Sequence, residues 1–300
     1  MRPLESFQFN KFSQNGEDGI IQELLNRISL QTSLNRWCCE FGAWDGVHLS
    51  NTARLILEDD FKAVLIEGDP ARIRDLQKNF PGDSVTKICS FVTPTGVTSI
   101  ENILSRTMIP LDFDFLSVDI DGMDYWILES LRKYKPKVIC IEFNPSIPNV
   151  VHFVQQFDPD IKQGSSAKAI SDLGKMMGYS VVSATYCNLL LVRNEFINAV
   201  VETLPTLEEL VPNGNDPQFI FCGYDGEVLS NKPTIDLIWH GKFPIKALQI
   251  LPKNLRSFRG NYTITKKLTF LVFYFLRGEK DSKPLIRELL SKLKIFPKKF

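Results

Sequence analysis

The chain predicts an α/β fold built on a mostly parallel sheet of seven strands, and three observations point there. Short continuous apolar runs recur along the first two thirds of the sequence, the pattern of strands buried on both faces. Amphipathic stretches of helical length separate them, in the rhythm of strands returned by crossover helices. The last two runs, at 179–184 and 189–192, are joined by a link too short for such a helix, so the last strand should run antiparallel to its neighbour. A chain of 300 residues, 44% hydrophobic and 23% charged, suits one large domain with an extension and argues against a largely disordered chain.

The elements follow in order. A helix is expected over 19–28. The run WCCEF at 37–41 reads as the first strand and ends in the turn GAWDG. Further strands are expected at 63–66 (AVLI), 85–88, 113–118 (FDFLSV) and 138–141 (VICI), with helical stretches at 51–58, 70–79 and 125–134 between them. A helix over 166–177 precedes the closing pair of strands. Past residue 200 the rhythm stops. Pro, Gly and Asn cluster at 204–217, and the segment FIFCGYDGEVL is expected to form a hairpin turning at Asp225-Gly226. The expected division is therefore a ligand-binding domain over 1–200, with an N-terminal helical cap, and a basic extension over 201–300 packed on it.

Lys plus Arg and Asp plus Glu both total 35, which removes any whole-protein argument for a nucleic-acid partner. The balance hides an asymmetry. From Lys246 to the end there are 14 basic and 3 acidic residues, leaving 21 basic and 32 acidic before it. In this tail Lys253, Arg256, Arg259, Lys266, Lys267 and Lys283 are interleaved with Phe258, Phe270, Phe273 and Phe275. The reading favoured here is an extra helical layer whose aromatics pack on the body; the alternative is a weak contact with an anionic membrane. Six cysteines without a CxxC pair read as reduced, mostly buried thiols, and no signal peptide is evident, so a cytoplasmic location is expected. The longest apolar run, 268–276, is about half the ~20 residues that span a bilayer.

In a doubly wound sheet, ligands bind at the carboxyl ends of the strands, near the point where strand order reverses. The first strand leads into Glu40-Phe41-Gly42-Ala43-Trp44-Asp45-Gly46. This turn lacks the GxGxxG spacing that seats a pyrophosphate, which disfavours an NAD-dependent oxidoreductase. Its acidic residues, Glu40 and Asp45, would repel a pyrophosphate and suit an ammonium group. The second strand ends at Glu67, followed by Gly68 and Asp69, and a carboxylate there can accept both hydroxyls of a ribose. Either feature alone is an ordinary turn or a solvated strand end. Together, at successive strand ends, they favour a nucleoside that carries an amino acid, which points to S-adenosylmethionine.

Four ordered blocks strengthen this reading: FSQNGEDGI (12–20), CEFGAWDGVHLSNT (39–52), VLIEGDP (64–70) and FLSVDIDGMDYWIL (115–128). In succession they resemble the signatures of FkbM-type methyltransferases, over roughly residues 10–195. The resemblance implies a Rossmann-like class I methyltransferase fold and S-adenosylmethionine-dependent transfer, usually to a hydroxyl oxygen. By position it implies that Glu40, Gly42, Ala43 and Asp45 line the methionine part of the cofactor. Ser50, Asn51 and Thr52 would meet its carboxylate at the start of the next helix. Glu67 would hold the ribose, Cys89 and Ser90 would lie beside the adenine, and Gln14 and Asn15 would fold over the cofactor. The fourth-strand block departs from the family pattern: Asp121 and Asp124 stand where that pattern commonly has glutamates one methylene longer.

Methyl transfer from a sulfonium is an in-line displacement that needs positioning and removal of the acceptor proton. Asp119, closing the fourth strand, is the first candidate for the catalytic face, with Asp121 two residues on. Glu142 and Asn144 follow the fifth strand into the same crevice, and His48 in the cofactor loop is a candidate base. Carboxylates at adjacent strand ends could share a divalent cation, although no metal ligands are assigned. The acceptor implied by the resemblance is a small molecule, a carbohydrate or another polyhydroxylated compound. The reading from another class is a noncatalytic S-adenosylmethionine-binding protein serving an assembly.

Overall fold

The computed structural model describes residues 1–212, 216–238 and 240–276, in two compact units, Met1–Pro217 and Gln218–Phe300. Lys283 lies outside the described residues. In the first unit, the strands are β1 Trp37–Phe41, β2 Lys62–Glu67, β3 Val85–Cys89, β4 Phe115–Val118, β5 Val138–Glu142, β6 Tyr179–Ala184 and β7 Asn188–Arg193. They form one sheet in the order β3-β2-β1-β4-β5-β7-β6. Strands β1 to β5 are parallel, and β7 is antiparallel to both β5 and β6. This is the expected Rossmann-like α/β sheet, and its strand order reverses between β1 and β4.

The helices are α1 Glu17–Ser29, α2 Ala53–Glu58, α3 Pro70–Asn79, α4 Ile100–Leu104, α5 Asp124–Ser130, α6 Ala167–Met177, α7 Ile197–Val200 and α8 Leu207–Leu210. Side chains alternate across each strand, so every strand feeds two cores. Phe41, Ile66, Val118 and Ile141 pack with α4, α5 and α6. Cys38, Leu65, Phe115 and Cys140 pack on the other face with Ile20, Leu24 and Ile28 of α1 and with Ile73 and Leu76 of α3. Four of the six cysteines are buried, Cys89 and Cys222 are exposed, and all six are free thiols.

Two boundaries differ from expectation because a polar group takes a tertiary role, and the helix expected over 125–134 ends at Ser130. The fourth strand starts at Phe115, two residues late. The fully buried Asp114 accepts the amides of Arg36 (2.6 Å) and Trp37 (3.3 Å) and the ammonium of Lys137 (2.8 Å). That knot ties the amino ends of β1, β4 and β5 together. Helix α2 starts at Ala53 because Ser50, Asn51 and Thr52 are bound to Glu40. Helix α4 is absent from the sequence expectation; it is one turn long and capped by Ser99, too short to show a 3.6-residue period.

In the second unit the hairpin forms where expected, β8 Ile220–Cys222 pairing with β9 Val228–Ser230. A second antiparallel pair, β10 Thr234–Leu237 with β11 Gly241–Pro244, and the helix α9, Ile264–Leu276, follow. Among the described residues no helix is long and apolar enough to cross a membrane.

Candidate active site

The carboxyl edge of the sheet is assembled around a contact that only glycine permits. Gly42, directly after β1, has φ +71°, and a Cβ there would lie 1.9 Å from the backbone oxygen of Asp119, directly after β4. The two strands at the reversal of order thus meet at their exits. Beyond Gly42 the amide of Ala43 donates to Ile66 (3.1 Å), and Trp44 turns through φ 49°.

Glu67 holds this crest from the side. Its carboxylate accepts the amides of Trp44 and Asp69, both at 2.8 Å, which fixes its orientation and leaves lone pairs for a ligand. Asp69 caps α3 by accepting the amide of Ala71 (2.7 Å). Asp45 closes the crest by accepting the amides of Val47 (2.9 Å) and His48 (2.7 Å). The ring of His48 stands edge-on to Trp44, with centroids 5.4 Å apart, and among the described residues no hydrogen bond joins it to Asp119 or Glu142. At the exit of β3, Cys89 is exposed, and the Ser90 amide donates to the backbone of Glu67 (2.9 Å). The exposed ring of Phe91 lies against Gly68.

Glu40 occupies a closed network. One carboxylate oxygen accepts the hydroxyls of Ser50 and Thr52, both at 2.6 Å, and the other accepts the amide of Asn51 (2.9 Å). All four residues are buried, and burial raises the Glu40 pKa against the lowering effect of these donors. Asn51 extends the network to the Ser117 hydroxyl on β4 (3.0 Å). The structure therefore directs Ser50 and Thr52 at Glu40, where the resemblance had them meeting a cofactor carboxylate.

The other end of the edge is a group of carboxylates. Asp119, Asp124 and Glu142 each place an oxygen within 4.8 Å of the others. Both oxygens of the buried Asp124 are engaged, by the amides of Ile120 (2.9 Å) and Gly122 (2.8 Å). Loss of hydration, then the charges of Asp124, Asp121, Glu40 and Glu17, push Asp119 up to about 7. The same desolvation, with Asp119, Asp124 and Asp121, pushes Glu142 up to about 9. Asp124 rises to about 6, chiefly by burial. Three oxygen donors so placed match the preference of a hard divalent cation, although Asp124 would have to share oxygens already holding backbone amides. Asp121 sits on the turn between β4 and α5 at φ 56°. Asn144 is a turn residue, accepting the Ser146 amide (2.9 Å) and donating to the Gln163 carbonyl (2.7 Å).

Two buried residues at this edge escape sequence reasoning. Glu17 accepts the Thr185 hydroxyl (2.5 Å) and the Asn188 side chain (3.0 Å), and its second oxygen accepts the Asn15 amide (2.7 Å). It pins the N-terminal segment to the strand pair beside Glu142, since Asn188 lies opposite Glu142 in the register. Asn15 also donates to Cys187 (3.4 Å), whereas the Gln14 side chain is exposed. Gln155, fully buried, accepts the amides of Gln163 and Gly164 and donates to Ile161, closing the segment that faces Gly122. A glutamate in the first turn of a helix reads as a solvated dipole partner, so nothing local marked Glu17.

No protein-family model and no curated protein matches the chain. Among solved structures it is similar to the S-adenosylmethionine-bound amino pentose methyltransferase CalS10 from Micromonospora echinaspora, at 12% identity over 59% of this chain and 91% of that one, TM-score 0.37. It is also similar to the precorrin-6y C5,15-methyltransferase from Geobacter metallireducens GS-15, at 17% identity over 62% and 92%, TM-score 0.36. The mitomycin 7-O-methyltransferase MmcR is a third, at 12% identity over 58% and 53%, TM-score 0.34.

Proposed function

We propose that the protein is an S-adenosylmethionine-dependent methyltransferase that methylates a hydroxyl oxygen of a carbohydrate or another polyhydroxylated small molecule. One observation carries this reading. Along a single sheet edge, on either side of the Gly42–Asp119 contact, stand an oriented hydroxyl acceptor, Glu67, and a pair of proton acceptors, Asp119 and Glu142. The residues present fit the cofactor. Glu67 has lone pairs available for two ribose hydroxyls, and Phe91 offers an exposed ring on which an adenine can stack at the exit of β3. The four sequence blocks that resemble FkbM-type methyltransferases fall on this edge, and the acceptor class rests on that resemblance.

Bound there, S-adenosylmethionine would supply a methyl group on a sulfonium, the C–S bond breaking as the O–C bond forms. The chain's own residues supply position and base. Lost hydration, and then the charges of neighbouring carboxylates, make Asp119 and Glu142 release their protons at higher pH than isolated carboxylates. Ionised, the pair takes the proton of the attacking hydroxyl together, neither carboxylate replacing the other, and the raised pKa makes it a stronger base than an ordinary carboxylate. Asp124 fixes the backbone from Ile120 to Gly122 and so holds the exit of β4 in place.

Titration calorimetry against S-adenosylhomocysteine and NAD tests the cofactor, and transfer of a labelled methyl group to a glycan panel tests the reaction. S-adenosylhomocysteine should bind and NAD should not. Glu67→Ala should weaken nucleoside binding roughly 30-fold or more, the loss of two hydrogen bonds to a charged acceptor. Asp119→Asn and Glu142→Gln should each abolish transfer while leaving that binding within a few-fold. Tight NAD binding, or Glu67→Ala binding like the parent, would refute the assignment.

A further inference from the structure

Helix α9 turns the wrong side to water. Ile264, Leu268, Val272, Phe275 and Leu276 are 72%, 51%, 58%, 54% and 82% exposed. Their spacings of four, four, three and one place them on one stripe of a 3.6-residue helix, about 20 Å long. The opposite side is the half-buried one. There Phe270 packs on Tyr262 and Tyr274, each with centroids 6.1 Å away, Arg259 lies 5.6 Å over the Phe270 ring, and Lys266 donates to the Ser257 hydroxyl (3.1 Å). A helix that meets water on its outer face carries polar residues there. A contiguous apolar stripe of this size marks an interaction surface.

The sequence that leads into and through the helix is strongly basic, its cations lying away from the apolar stripe. From Lys246 to Leu276 the chain carries Lys246, Lys253, Arg256, Arg259, Lys266 and Lys267 and no acidic residue. The sequence from 277 to 300 adds eight basic residues against three acidic. We propose that the exposed face of α9 docks on an anionic lipid surface, the apolar stripe entering the headgroup boundary and the cations meeting lipid phosphates and carboxylates. The apolar run 268–276, nine residues between Lys267 and Arg277, is too short to span the ~30 Å hydrocarbon layer, so the helix would lie in the plane of the interface. A second copy of the chain is the poorer occupant, because pairing two such faces would bring two strongly basic stretches together, 14 basic against 3 acidic residues from Lys246 onward in each.

The test is sedimentation of the full chain with vesicles of phosphatidylcholine alone and with ~30% phosphatidylserine, the negative charge of a cytoplasmic leaflet being the feature varied. Two variants accompany it: Leu268→Gln with Val272→Gln and Phe275→Gln, and Lys253→Glu with Lys267→Glu. The replaced apolar side chains are exposed, so an unchanged thermal transition verifies folding. The parent should partition to the anionic vesicles at least about tenfold better than to the neutral ones, with binding falling as salt is raised to about 0.5 M. Each variant should lose about tenfold of that partition. Equal binding to both vesicles, or apolar-face variants that bind like the parent, would overturn the proposal. So would a concentration-dependent dimer of the parent that the glutamine variant dissolves.

Discussion

Gly42 is the residue on which the active-site edge depends most directly. Its φ of +71° disfavours any L side chain, and the Asp119 oxygen occupies the space where a Cβ would go. Gly42→Ala must therefore part the exits of β1 and β4. We expect a loss of about 2 kcal/mol or more, read as a lower urea midpoint, together with weakened nucleoside binding. Glu142 is the converse case, a residue that costs stability. Asp119 at about 7 and Glu142 at about 9 lie above the ~4 of the same groups in the unfolded chain. Between pH ~4 and ~9 the folded protein then binds more protons than the unfolded one, so stability falls as pH rises across that window. Glu142→Gln should raise the Tm at pH 8 by on the order of 5 °C, flatten the pH dependence of Tm and still abolish transfer. A Tm that falls on this substitution would mean that the carboxylate is stabilised by partners.

Among the elements, the two ends of the sheet carry carboxylates of opposite character, one buried and paired, the others only partly buried. At the amino end Asp114 is fully satisfied, with Lys137 and the amides of β1 around it. Lys137→Met would leave that carboxylate buried and unpaired, at a cost of about 3 kcal/mol in chemical denaturation, with little effect on ligand affinity at the far edge. At the carboxyl end lost hydration, and then the neighbouring carboxylates, raise the pKa values of Asp119 and Glu142. The strands were legible in the sequence because their apolar runs are long and continuous. Their exact starts were not, because Asp114, Ser50 and Thr52 are claimed by partners 10 or more residues away, and the short α4 was not, because one turn shows no period.

For the whole molecule, both hydrophobic cores of the sheet lie between Leu4 and Val211, and the first compact unit closes at Pro217. A chain ending at 217 should therefore unfold in one cooperative transition and bind S-adenosylhomocysteine like the full chain, by calorimetry. A truncated chain that precipitates or unfolds without cooperativity would show that the second unit is needed to complete the first. Among its described residues the second unit buries few large apolar side chains, Leu255 and Tyr262 at 1% and 7% exposure against a row of exposed ones.

The net charge of zero is the sum of an acidic body and a basic tail, and that much is written in composition alone. The order of strands and helices, the antiparallel last strand and the placing of Gly42, Glu67, Asp119 and Glu142 at strand exits also follow from the sequence, because periodicity and turn chemistry are local. Which polar residues face a ligand and which face each other is not local. Glu40, Ser50 and Thr52 became a closed network, Glu17 became an anchor at the sheet edge, and the apolar side of α9 was left exposed. Each outcome depends on what the folded chain brings within hydrogen-bonding distance or withholds from burial, and only the tertiary structure decides that.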